Sequence, residues 1–299
     1  MKTASILLAA LGSAVFLNGC KTVRAEGPEI PAPAAKPRLA AAKQNLQNKR
    51  KKATEIPPVL GGVVQSDSWV IYKDKQQEEF TGNVSYDNGS YAFKADYALS
   101  ERALSRFSAR GRVWLRQTER DGSFYEAYAD SARYNYKTQK GWLAANRGKT
   151  VKLVLTDEKK QTVTAYAGKV SFDLNEKIFV LQNNVRVERP TPEGLEILTA
   201  DKATYKQAEN YALLEGGAKA TDSQRTLEAE TIVYDGAKNA SYAYGARPLV
   251  HGTTEQGTFA VIADKVSADN EGNKITLDGK VQGWMVSPQL NESAVNSKF

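Results

Sequence analysis

The chain has 299 residues, of which 41% are apolar, 9% aromatic and 25% charged, an ordinary soluble composition with room for one large or two ordinary domains. The net charge of +7 is localised: Lys2 carries one unit, residues 21–60 carry nine Lys/Arg against three Glu, and residues 61–299 balance to zero. That neutral remainder carries no sign of a nucleic-acid footprint.

Met1–Lys2 form a short basic start, Ala4 to Leu17 is nearly all apolar, and Leu17-Asn18-Gly19-Cys20 closes the segment. About 14 apolar residues are too few to span a bilayer, which takes about 20, and suit a cleavable export signal. Residues 1–19 are therefore expected to be a signal peptide. Leu at −3 and Gly at −1 resemble the lipobox of bacterial lipoproteins, which implies a lipid anchor on Cys20, the sole cysteine. An exported chain with one thiol makes no internal disulfide, so anchoring gives that residue a purpose. An ordinary signal peptide and a short uncleaved inner-membrane anchor are the competing readings.

Residues 20–62 read as the lipidated N-terminus and a tether rich in Pro, Ala and Lys, with Pro28, Pro31, Pro33, Pro37 and Pro57-Pro58. Beside a lipid anchor its cations lie near anionic headgroups, each adding up to about 1 kcal/mol of attraction.

From about residue 69 the chain turns to short β-type runs that repeat. Ala-Asp-Lys-Ala-Thr-Tyr (200–205) has relatives beginning at Ala95, Ala129, Ala167, Ala229 and Ala263, spaced 29–38 residues apart. A second phrase follows 16 residues later in most copies, as Gly111-Arg112-Val113, Asn183-Asn184-Val185, Gly216-Gly217-Ala218 and Gly279-Lys280-Val281. Gly82-Asn83-Val84 is a copy without a recognisable first phrase. The pattern reads as strand, tight turn, strand, looser turn, in about six and a half copies. Phe179, Leu181, Val185 and Val187 share one parity, with Leu214, Ala218, Ile275, Leu277 and Val281 in register, which marks strands with one covered face. The leading alanine is out of parity with the residues after it, as Ala167 is with Val170 and Phe172, which predicts a bend or bulge there. Residues 63–288 are thus expected to form an all-β, repetitive antiparallel domain whose stacked strand pairs build an apolar trough, and 289–299 a disordered tail.

The Ala-Asp-Lys-Ala/Val starts, Phe179-Val180-Leu181 running into Asn183-Asn184-Val185, and the recurring Tyr134, Phe172, Tyr205 and Tyr234 resemble the OstA-like family of periplasmic lipopolysaccharide transport proteins over about residues 69–286. The resemblance implies a β-jellyroll, or folded taco, that holds acyl chains inside and joins similar domains through open end strands. A lipobox and a long basic tether depart from the family's usual soluble or helix-anchored members. The candidate lipid-contacting residues are Val84, Val113, Leu115, Phe172, Phe179, Leu181, Val185, Val187, Tyr205, Leu214, Tyr234, Ile275, Leu277 and Val281. The repeated aromatics read as plain core first and as lipid contacts second, the trough wall being both core and site.

No cofactor, metal or catalytic constellation is expected. The acids Asp96, Asp130, Asp201, Glu230 and Asp264 supply one carboxylate per repeat, whereas calcium gathers about six to eight oxygens, so they are read as strand-start residues facing water. His251 is the sole histidine and has no cysteine or second histidine to share a metal. The leading expectation is a non-enzymatic, membrane-anchored carrier or bridge for lipopolysaccharide or a similar glycolipid, facing the periplasm, with the outer membrane favoured over the inner. A structural envelope lipoprotein without ligand is the alternative, followed by an enzyme acting on envelope glycans.

Overall fold

The computed structural model describes residues 62–286 except 120, 159, 192–193, 255–256 and 270–273. The expected signal peptide, Cys20, the tether and the C-terminal tail lie outside the described residues. The chain runs back and forth as β1 (Val63–Gln65), β2 (Ser68–Tyr72), β3 (Gln77–Asp87), β4 (Tyr91–Glu101), β5 (Arg106–Thr118) and β6 (Phe124–Asn135). Next come β7 (Lys140–Ala144), β8 (Val151–Thr156), β9 (Thr162–Ala167), β10 (Lys169–Asp173), β11 (Ile178–Thr191), β12 (Gly194–Lys206), β13 (Tyr211–Thr221) and β14 (Arg225–Asp235). The series closes with β15 (Ala240–Tyr244), β16 (Leu249–Thr254), β17 (Gly257–Ile262), β18 (Lys265–Asp269), β19 (Lys274–Asp278) and β20 (Gln282–Val286). All pairings are antiparallel, and they join every strand into one continuous ladder.

Several strands are halves of one chain pass interrupted at a corner. β9 and β10 flank Gly168 and pair with the two halves of β11, and β15 and β16 pair with the two halves of β14. Counted as passes, the described residues cross the molecule fourteen times, from β1–β2 to β19–β20. In the long strands the register shifts at the same place, for example between Lys94 and Tyr97 on β4 and between Gln182 and Val185 on β11. Such a bulge increases local twist and bends a strand. Aligned across the passes, the bends form a seam along which the ladder folds into two facing sheets. Residues from both halves share one core, with Leu181, Ala203 and Leu214 from one sheet against Val187, Leu198 and Ala220 from the other. This is an all-β, antiparallel β-jellyroll.

The parity break after each leading alanine is this seam. Ala200 is the last inward residue of one sheet, Asp201 occupies the corner, and Ala203 and Tyr205 point inward in the other. Passes carrying an acid alternate with passes carrying a tight corner of two residues at positive φ, such as Gly111 (76°) with Arg112 (47°) and Gly216 (80°) with Gly217 (55°). Glycine suits the first position because it pays no Cβ penalty at positive φ. It is also needed for space. A Cβ on Gly111 would lie 2.8 Å from the Cβ of Asp96, and one on Gly216 would lie 2.8 Å from that of Asp201.

Spacing makes the first repeat whole. Gly82 faces Asp67, 15 residues earlier, and the Asn83 side-chain amide donates to Asp67 Oδ2 at 2.9 Å. The unrecognised first phrase is therefore Ser66-Asp67-Ser68, and the described residues hold seven repeats rather than six and a half.

Candidate functional site: the interior between the sheets

Inward residues form rows that cross the strands. Nearest the seam, Phe80, Ala98, Ala109, Ala132, Leu143 and Val170 are paired in succession, and the row continues through Leu181, Ala203, Leu214, Ile232, Ala243 and Val266 to Leu277. Two residues further from the seam runs a row with aromatic members: Phe107, Tyr134, Gly141, Phe172, Phe179 and Tyr205. Gly141 is small because Phe172 lies over it, with the ring stacked on Tyr134 at 6.1 Å. On the facing sheet Phe93, Leu115, Ala127, Leu153, Ala165, Val187 and Leu198 make the corresponding row.

Most of the candidate residues line this interior. Val84, Val113, Leu181, Val185, Val187, Tyr205, Leu214 and Tyr234 are buried, and Leu115, Phe172, Phe179 and Leu277 are partly buried against the same core. Burial pushes the Tyr205 hydroxyl well above its ordinary pKa, so it stays neutral. Ile275 and Val281 differ. They are 44% and 49% exposed, because β19 pairs only with β18 and β20 only with β17 among the described residues. The inward stripe continues to the last pass, and among the described residues no further strand covers it.

Side chains of the chain itself fill the space between the sheets. Near the β15–β18 end lies an apolar cavity of about 30 Å³, bordered by Leu227, Ile232, Ala243, Val250, Val266 and Ile275. That is room for about one water molecule. An acyl chain needs far more, so any lipid entering here has to part the sheets and replace side-chain contacts with its own.

Both ends of the stack are apolar and unpaired among the described residues. At one end β1 and β2 each pair only with β3 and expose Val63, Trp69 and Ile71. At the other, Trp284, Met285 and Val286 are exposed on β20. Unpaired strand edges with apolar side chains are templates for another chain.

No protein-family model matches this chain, and no curated protein is similar to it in sequence. Among solved structures it is similar to LptH from Pseudomonas aeruginosa, described as the LptA-homologous periplasmic component of the conserved lipopolysaccharide transport device. The likeness spans 40% of this chain and 81% of LptH, at 16% identity and a TM-score of 0.34.

Polar chemistry in the interior is confined to the rim away from the seam. Glu196, 2% exposed, accepts from Arg189 Nε at 2.8 Å and Nη2 at 2.6 Å, both on the same carboxylate oxygen. Burial outweighs the guanidinium, and the Glu196 carboxyl is pushed up to about 7. Nothing in the repeat pattern marks this pair. The sole signal is a charge at an inward parity, as Glu196 shares the side of Leu198 and Arg189 that of Val187. His251, on β16, lies 3.7 Å from Glu228, whose carboxylate also takes Lys219 at 2.8 Å. Among the described residues no three His, Cys, Asp or Glu side chains converge on a metal-sized site.

The repeated acids stand at the seam. Arg112 Nε donates to Asp96 at 2.8 Å, the backbone N–H of Asn146 donates to Asp130 at 2.8 Å, and Arg247 lies 3.7 Å from Asp264. At these three corners the acid ties one strand to the next.

Proposed function

We propose that this chain is a non-enzymatic carrier or bridge, anchored to a membrane through a lipid on Cys20, that shields the acyl chains of lipopolysaccharide or a similar glycolipid in the periplasm. The observation that carries this reading is the apolar wall, which crosses every strand and ends in uncovered apolar side chains at both ends. Such a wall offers a lipid burial worth about 25 cal/mol per Å² of apolar surface, with no covalent step. The open end strands suit similar domains docking head to tail. The outer membrane is favoured for the anchor.

A second reading, a structural envelope protein without ligand, is favoured by the filled interior and its 30 Å³ cavity. A photo-crosslinking residue at Leu181 or Val185, in cells exporting lipopolysaccharide, separates the two. Adducts at these positions and none at the outward Arg186 support transport. Absence of adducts at every inward position leaves the structural reading standing alone.

A further inference from the structure

The seam repeats one arrangement, an acid facing a glycine 15 residues later, at Asp67, Asp96, Asp201, Glu230 and Asp264. At the middle of the stack the arrangement inverts. Gly168 occupies the acid's place, and Asn183, at φ 68°, occupies the glycine's. The neighbouring corner is enlarged here, because residues 145–150 leave the ladder between β7 and β8. Beside Gly168 this excursion encloses an open polar cavity of about 370 Å³, lined among others by Asn146, Arg147, Lys149, Asn183 and Asn184.

Its chemistry differs from the rest of the seam. Two cations and three side-chain amides surround the cavity, and no carboxylate lines it. Asp130 lies on its flank, accepting from the backbone of Asn146 and from Lys149 Nζ at 3.4 Å, so one of the cations is shared. Arg147 makes no ion pair, and the Asn183 and Asn184 amides make no hydrogen bond, among the described residues. Elsewhere the seam acid stands where it would repel an anion. At Gly168 that acid is missing, Asp130 being the seam carboxylate that remains beside the cavity, and unengaged donors line the space.

We propose that this corner binds a phosphate monoester, with Arg147 as the charged fork and Asn183 and Asn184 as amide donors. A guanidinium matches phosphate oxygens in pairs, and charge-assisted hydrogen bonds of this kind are the strong ones. The site lies outside the apolar interior, so it stands whether or not acyl chains enter between the sheets. The phosphate could belong to a soluble phosphosugar or to a lipid headgroup.

Calorimetric titration of the full chain with inorganic phosphate, glucosamine 1-phosphate and short-chain phosphatidic acid tests it, with glucosamine as the neutral control. Saturable binding of the phosphate-bearing probes is expected, with none of glucosamine. Arg147→Gln should weaken it about tenfold, the scale of one charge-assisted contact. The exchange Gly168→Asp with Asn183→Gly restores the ordinary seam pair and should abolish binding. Arg112→Gln, at a corner whose arginine is already paired to its acid, should leave binding unchanged, and melting curves check that each variant folds. Tighter binding of phosphatidic acid than of the phosphosugar makes the source a headgroup, and the reverse makes it a soluble ester. No saturable heat with any probe, or equal affinity in Arg147→Gln, overturns the proposal.

Discussion

Asp96 and Gly111 meet across the seam so closely that the acid has room only because its partner has no side chain. A Cβ on Gly111 would stand 2.8 Å from that of Asp96, at a φ of 76° that L-residues rarely adopt. Gly168 and Asn183 satisfy the same constraint in reverse, since a Cβ on Gly168 would fall 2.9 Å from that of Asn183. One small residue per corner is the rule, and either strand can supply it.

Gly111→Asn should therefore destabilise the domain, by about 1–3 kcal/mol, the usual scale of backbone strain at a constrained site. Combined with Asp96→Gly it copies the Gly168–Asn183 pair, and part of the loss should return. Urea midpoints of the two single variants and the double variant measure the coupling. Additive losses would show that the two residues do not compete for one space.

Leu198 is 1% exposed and sits among Val187, Ala200 and Ala220 in the shared core. Leu198→Ala should cost about 2–5 kcal/mol through lost burial and the cavity it leaves. If lipid replaces side chains between the sheets, added lipid should recover some of that stability, which thermal melts with and without lipid will read.

Glu196 gives the domain a specific pH dependence. Its carboxyl titrates near 7 when folded, above its ordinary value of 4.5, so the folded state holds a proton that the unfolded chain has released. Stability from this group is present below about pH 4.5 and declines as the pH rises toward 7. Glu196→Gln should remove that decline between pH 5 and 8, seen as a smaller change in urea midpoint. Arg189→Ala should lower stability most at pH 8, where it leaves a buried carboxylate without its guanidinium.

Trp284 and Met285 are more than half exposed on β20, and Trp69 and Ile71 are similarly open on β2. Association through these ends should make sedimentation depend on protein concentration. Trp284→Lys, which places a charge on the edge, should shift the population toward monomer.

Much of this architecture could be read from residue order. Period-two alternation at Phe179 to Val187 locates the inner face, and the out-of-parity Ala167 and Ala200 mark the seam, because the acid-bearing passes shift parity at the corner while the two-residue corner of β11 keeps it. Asp67 is not legible in the repeat because its neighbours lack the alanine that introduces the other acids. The filling of the interior was also beyond reach: the pattern that makes an empty trough makes a packed one, and only side-chain volumes across the gap decide. Glu196 and Arg189 are hidden because each is a lone charge at an inward position among apolar neighbours, where the alternation alone does not distinguish a buried pair from an exposed one.

The inverted corner has a consequence for how the stack assembles. Asp67, Asp96, Asp201 and Asp264 all face glycine, so nothing at the seam itself would stop one such repeat from settling against the corner of another. Asn183 refuses them all. An aspartate brought opposite it would drive one Cβ into another, and only Gly168 leaves the room. This inverted pair, next to the enlarged corner at Asp130, thus marks one alignment of the ladder, so that a chain of look-alike turns closes there and not one repeat out of step.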